Sequence, residues 1–188
     1  MHSGTIYNDF LDRHMVKRAT PKRERAATQT QRLLVAIVVS RYNETVTRAL
    51  LAGALQQAQV LLAKTEIFDA AGAFEVLGTA AAVAATGRYD GILTLGCIVK
   101  GETKHDDYLA HAVTSGLGQL TVATGTPVSL GVLTVNSQAQ ALARAGGKHG
   151  NKGAEAMAAL VSMIRTCRAI RTGMPGPSVG VRPDKLRR

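Results

Sequence analysis

Apolar positions along this chain fall into short uninterrupted runs that alternate with helically spaced ones. Residues 33–39 form a β-branched-rich run, the pattern of a parallel strand buried on both faces. After a turn at Ser40-Arg41-Tyr42-Asn43, Val46, Leu50, Ala54, Ala58 and Leu61 recur at helical spacing, and Asn43 stands where it can cap a helix starting at Glu44. The pattern then repeats with a short strand over 66–69, a glycine turn at Gly72 and an alanine-rich helix over about 78–86. A strand over Gly91–Val99 and a loop over 100–105 follow. Asp106 and Asp107 place negative charge in the first turn of the next helix, which carries Leu109, Val113, Leu117 and Leu120 and ends at Gly125 and Pro127. A fourth strand spans 128–133, and helices are expected over about 137–145 and 151–171.

Strands alternating with helices predict an α/β fold: a three-layer sandwich around a four-stranded parallel, flavodoxin-like sheet with right-handed crossovers. Ligands in such folds bind beyond the carboxyl ends of the strands, which directs attention to the loops after Val39, Asp69, Val99 and Leu133. The periodic segment, 33–171, is the expected catalytic domain. Residues 1–32 lack apolar periodicity and read as a basic irregular arm. Residues 172–188, with Gly173, Pro175, Gly176, Pro177 and Pro183, read as a basic Pro/Gly-rich tail.

Charge changes the picture only at the ends. The 188 residues carry a formal net charge of +10, but residues 33–164 are neutral overall, while 1–32 carry +4 and 165–188 carry +6. A neutral core argues against nucleic-acid binding by the folded domain and leaves the ends as solvated polymer or as a surface for an acidic partner. No apolar stretch approaches the roughly 20 residues needed to cross a bilayer, and nothing near Met1 resembles a secretory signal, so a cytoplasmic protein is expected. Cys97 and Cys167 lack disulfide or zinc spacing, and His105 and His111 are too far apart in register to share a metal, so no metal is expected.

The candidate chemistry lies in the strand-end loops. In Lys100-Gly101-Glu102-Thr103-Lys104-His105, the amides of Glu102 and Thr103 precede a helix start and can cradle an anion, while His105 can exchange protons near neutral pH. Lys100 and Lys104 add positive charge. Tyr42, one of only seven aromatic residues, offers a stacking surface at a strand end. Gly72-Ala73-Phe74-Glu75 joins a close-approach backbone to a carboxylate suited to hydroxyl groups. In the glycine-rich run from Arg144 to Gly153, Arg144 can hold a phosphate bidentately and Lys152 can add a point charge, although no strand leads into it as a P-loop requires.

Taken in order, Ser40-Arg41-Tyr42-Asn43, Gly72-Ala73-Phe74-Glu75, the segment from Gly96 to His105, Gly131-Val132-Leu133-Thr134 and the segment from Arg144 to Gly153 resemble the 6,7-dimethyl-8-ribityllumazine synthase family of riboflavin biosynthesis. The resemblance implies a transferase, working without cofactor, that condenses 5-amino-6-(D-ribitylamino)uracil with 3,4-dihydroxy-2-butanone 4-phosphate and releases phosphate and water. It assigns the pyrimidine and ribityl chain to Tyr42, Ala73, Phe74, Glu75, Cys97, Ile98, Val99 and Leu130. The phosphate goes to Glu102, Thr103, Arg144 and Lys152, and proton transfer to His105. It further implies a homopentamer with sites shared between neighbours, which some members extend to a sixty-subunit icosahedral shell, with riboflavin synthase as a macromolecular partner; the basic C-terminal tail lies outside the resemblance, and its charge would let it line such a shell and attract acidic cargo. The alternative is a non-catalytic shell or scaffold protein of the same fold whose basic ends bind acidic cargo. The chain departs from the family pattern at Tyr42, Ala71, Leu77, Lys104, Asp106 and Leu130.

Overall fold

Four apolar runs build one parallel sheet. The computed structural model describes residues 32–174. The arm expected over 1–32 lies outside the described residues except for Arg32, and the tail expected over 172–188 lies outside them beyond Met174, while Thr172 still belongs to the last helix. Strands β1 (Leu34–Ser40), β2 (Lys64–Ala70), β3 (Gly91–Val99) and β4 (Val128–Val135) are ordered β2-β1-β3-β4. All neighbours are parallel, with Val39 opposite both Asp69 and Leu95, and Val99 opposite Val135. The connections are α1 (Glu44–Val60), α2 (Ala73–Ala85) and α3 (His105–Thr124). After β4 come α4 (Gln138–Arg144), a small antiparallel hairpin of β5 (Ala145–Gly147) and β6 (Gly150–Asn151), and α5 (Lys152–Thr172).

Alternation along the central strands sorts the core into two layers, since successive side chains leave a strand on opposite faces. Val35, Ile37 and Val39 of β1 join Leu93, Leu95 and Cys97 of β3 beneath Val46, Leu50 and Ala54 of α1 and Met157, Leu160 and Ile164 of α5. Ala36, Val38 and Ile92 point the other way, against Val76, Ala80 and Val83 of α2 and Val113 and Leu117 of α3. The flavodoxin-like three-layer sandwich is therefore present, with the sheet between an α1–α5 layer and an α2–α3 layer.

Several boundaries differ from the sequence expectation. β2 is longer than 66–69 because it is an edge strand whose Lys64, Ile67 and Asp69 remain exposed or half-buried, so no continuous apolar run marks it. α2 begins at Ala73 rather than near residue 78. β4 continues two residues past Leu133. The glycine-rich run after Arg144 folds as the β5–β6 hairpin, a feature with no apolar signature. Asn43 flanks α1 without a side-chain cap, whereas Asn151 caps α5 as a helix-capping Asn should, its Oδ1 accepting from the amides of Gly153 (2.9 Å) and Ala154 (3.2 Å).

The edge where the strands begin is fastened by Asp90. Its Oδ2 accepts from the Leu34 amide (2.8 Å), and its Oδ1 pairs with Arg168 Nη2 near the end of α5 (2.6 Å). Beside it, Arg171 Nη2 donates to the Gly125 carbonyl just before β4 (2.7 Å).

Candidate active site

At the opposite edge, where the strands end, the first turns of α2 and α3 flank a hollow of about 780 Å³. Tyr42 and Asn43 follow β1, and Gly72, Ala73, Phe74 and Glu75 form the start of α2. Cys97, Ile98 and Val99 end β3. Lys100, Gly101, Thr103, His105, Asp106 and Leu109 carry the wall into α3. Parallel topology explains the convergence, because every crossover returns the chain to the same edge before the next helix leaves it.

The aromatic rings are exposed here, Tyr42 at 70% and Phe74 at 57%. Exposed rings flanking a concave surface are available for a planar ligand. Phe74 and Glu75 lie in the first turn of α2 rather than in the loop expected from Gly72 onward. A Cβ at residue 72 would stand 2.8 Å from Glu75 Oε2, so the glycine leaves room for the carboxylate to fold back over the helix start. Cys97 contributes backbone rather than its thiol: the side chain packs in the α1–α5 core, 2% exposed, and burial pushes the thiol pKa up from the ordinary 9.0 to about 11.

His105 is the first residue of α3, one position earlier than expected, with Lys104 flanking the helix. Its amide donates to Thr103 Oγ1 (3.4 Å), which folds Thr103 over the helix start. Unpaired amides and a positive helix end favour an anion there, and Lys100 adds charge from the same wall. The arrangement can stack a ring, bind hydroxyls, hold a phosphate and exchange a proton at His105.

Four expected site residues are not among those lining this hollow. Glu102 sits exposed between Gly101 and Thr103. Arg144 ends α4, and its Nη1 donates to the Gln140 carbonyl of the preceding turn (3.1 Å). Leu130 and Lys152 line a separate hollow of about 400 Å³ between β4 and the start of α5, together with Ser129 and Glu155. Lys152 Nζ pairs there with Glu155 Oε2 (2.6 Å), and Leu130 is 45% exposed on the edge strand. Conversely, Asn43, Asp106 and Leu109 belong to the wall of the first hollow, although the sequence marks them only as a helix cap, a first-turn charge and a core position. Asp106 is buried there at 9% exposure.

Comparison with known proteins identifies the family. A sequence model of the family described as 6,7-dimethyl-8-ribityllumazine synthase matches residues 32–168. The protein of that name from Anaeromyxobacter dehalogenans (strain 2CP-C) is 43% identical over 141 residues, covering 73% of this chain and 87% of the relative. The one from Pediococcus pentosaceus is 43% identical over 136 residues, covering 71% and 87%. The strand-end motifs, the parallel sheet that gathers them and these matches agree: the chain belongs to the 6,7-dimethyl-8-ribityllumazine synthase family.

Proposed function

We propose that this chain is a transferase that makes 6,7-dimethyl-8-ribityllumazine from 5-amino-6-(D-ribitylamino)uracil and 3,4-dihydroxy-2-butanone 4-phosphate, the penultimate step of riboflavin biosynthesis. One observation carries the reading. In a chain of this family, a single hollow gathers Tyr42, Phe74, Glu75, Thr103 and His105 from separate segments. Tyr42 stacks on the pyrimidine. Ala73, Phe74 and Glu75 receive the ring and ribityl hydroxyls, and the Cys97, Ile98 and Val99 backbone reads the ring edge. The amides of Glu102 and Thr103 hold the phosphate at the start of α3.

The chemistry asks little of the protein beyond this. The amine attacks the ketone, an imine forms with loss of water, phosphate leaves, and a second condensation closes the ring. Each step moves protons, and none needs a protein nucleophile. Holding two substrates together supplies much of the acceleration, with His105 shuttling protons beside the phosphate.

Leu130, Arg144 and Lys152 enter from a neighbouring subunit of a homopentamer. Two features support that: Leu130 is exposed on an edge strand, and the hollow it shares with Lys152 lies apart from the one holding His105. Mixing the purified protein with both substrates and following lumazine fluorescence tests the activity. A rate no greater than the spontaneous one would overturn it.

A further inference from the structure

The start of α1 departs from ordinary helix capping. A capping Asn is usually extended, with its side-chain oxygen on an amide of the first turn. Asn43 is instead left-handed, at φ 58° and ψ 45°, a conformation that residues other than Gly, Asn and Asp rarely adopt. Its backbone carbonyl accepts from the amides of Val46 (2.9 Å) and Thr47 (3.1 Å). The side chain, freed from capping, reaches across the sheet edge, where Nδ2 donates to the carbonyl of Cys97 (2.9 Å).

That bond joins two walls of the hollow. On one side is Tyr42, whose exposed ring has its own amide held by Ser40 Oγ (3.1 Å). On the other is the backbone of Cys97, Ile98 and Val99, where β3 ends. β1 and β3 are in register only from Val35 to Val39 on the β1 side, so beyond Val39 the ladder no longer fixes their spacing. Asn43 continues the connection past the end of the ladder with a side chain. We propose that Asn43 is a positioning residue: its bond to the Cys97 carbonyl sets the gap between the Tyr42 ring and the end of β3, and so the slot for the planar substrate.

The residue type follows from the two demands placed on it. Glycine adopts the backbone conformation but has no donor. Aspartate has the right shape and tolerates the left-handed region, but it presents a carboxylate oxygen to a carbonyl oxygen. The proposal rests on the function proposed above, and its test separates the two. Wild-type protein, N43G and N43D are titrated with 6,7-dimethyl-8-ribityllumazine by fluorescence, and KM is measured for each substrate.

Loss of one neutral hydrogen bond predicts that N43G binds the lumazine about three- to tenfold more weakly, with a matching rise in KM for the aminouracil. N43D should be weaker still. KM for the butanone phosphate should stay within about twofold, because the start of α3 is untouched. Two results overturn the pin alone: N43G binding the lumazine as tightly as wild type, or both KM values rising in step with a fall in melting temperature. Failure of the wild-type protein to bind the lumazine would overturn the proposed function, and the role of Asn43 with it.

Discussion

Gly153→Ala tests the tightest backbone contact in the described fold. Gly153 is the second residue of α5 and lies against α1 where the two helices cross. A Cβ at this position would overlap the Leu50 carbonyl oxygen, stand 2.8 Å from its carbon and reach 3.0 Å from Asn151 Oδ1. Carbon atoms in contact sit about 3.5–4.0 Å apart, so the helices must separate by roughly 1 Å. Overpacking of this kind costs about 1–3 kcal/mol. The same crossing holds the bond from Asn151 Nδ2 to the Ala49 carbonyl (2.8 Å), whose loss adds about 1 kcal/mol. Ala is the better helix former by about 1 kcal/mol, which offsets part of the cost. The net destabilisation is about 1–3 kcal/mol, or a fall in Tm of about 3–10 °C for a domain of this size. Thermal unfolding should be followed at one protein concentration, since association shifts Tm. Because Ser129 Oγ donates to the Ala156 carbonyl one turn further along α5 (2.9 Å), the hollow around Leu130 and Lys152 should loosen too. A variant melting within about 2 °C of wild type would show that the crossing has slack and refute the reasoning.

His105→Ala should slow turnover by about 10²- to 10⁴-fold without abolishing it, and a fully active variant would remove the proton-shuttle role. Arg144→Ala should chiefly raise KM for the butanone phosphate; an unchanged KM would exclude Arg144 from the phosphate site. Cys97, with its thiol pKa pushed up to about 11 by burial, should resist alkylation at pH 8 in a Cys167→Ser background until denaturant is added. The unfolded thiol ionises first while the folded one keeps its proton. Stability should therefore fall as pH rises from about 9 toward 11, and Cys97→Ala should remove that part of the slope in unfolding measured against pH. Asp90→Ala should cost about 1–3 kcal/mol in chemical denaturation, since it unfastens both Leu34 and Arg168.

The sheet is legible in the sequence wherever burial on both faces forces a continuous apolar run. Such runs locate β3 to the residue and the start of β1 to within one. β2 reads short because edge exposure lets Lys64, Glu66 and Asp69 into a strand, which hides it from a hydrophobicity criterion. The start of α2 reads late because Gly72 to Glu75 carry both a turn signal and a helix start, and only the packing of Ala73 and Val76 decides between them. The wall of the first hollow can be read because each of its segments follows a strand. The separation of Leu130 and Lys152 from it cannot, since strand order and edge status are properties of the sheet and not of any local pattern. Asn43 shows the same limit on a smaller scale. Its place before a helix suggests a cap, and only the nearness of the Cys97 carbonyl redirects its amide.

Asp90 has a practical consequence for handling the protein. One carboxylate reaches both the start of the first strand and the last turns of α5, so these two segments approach each other through Asp90. They meet at the edge where the strands begin, across the sheet from the hollow that holds His105. A protein fused directly before residue 32 or directly after residue 174 would therefore leave the domain at the edge opposite the substrate loops.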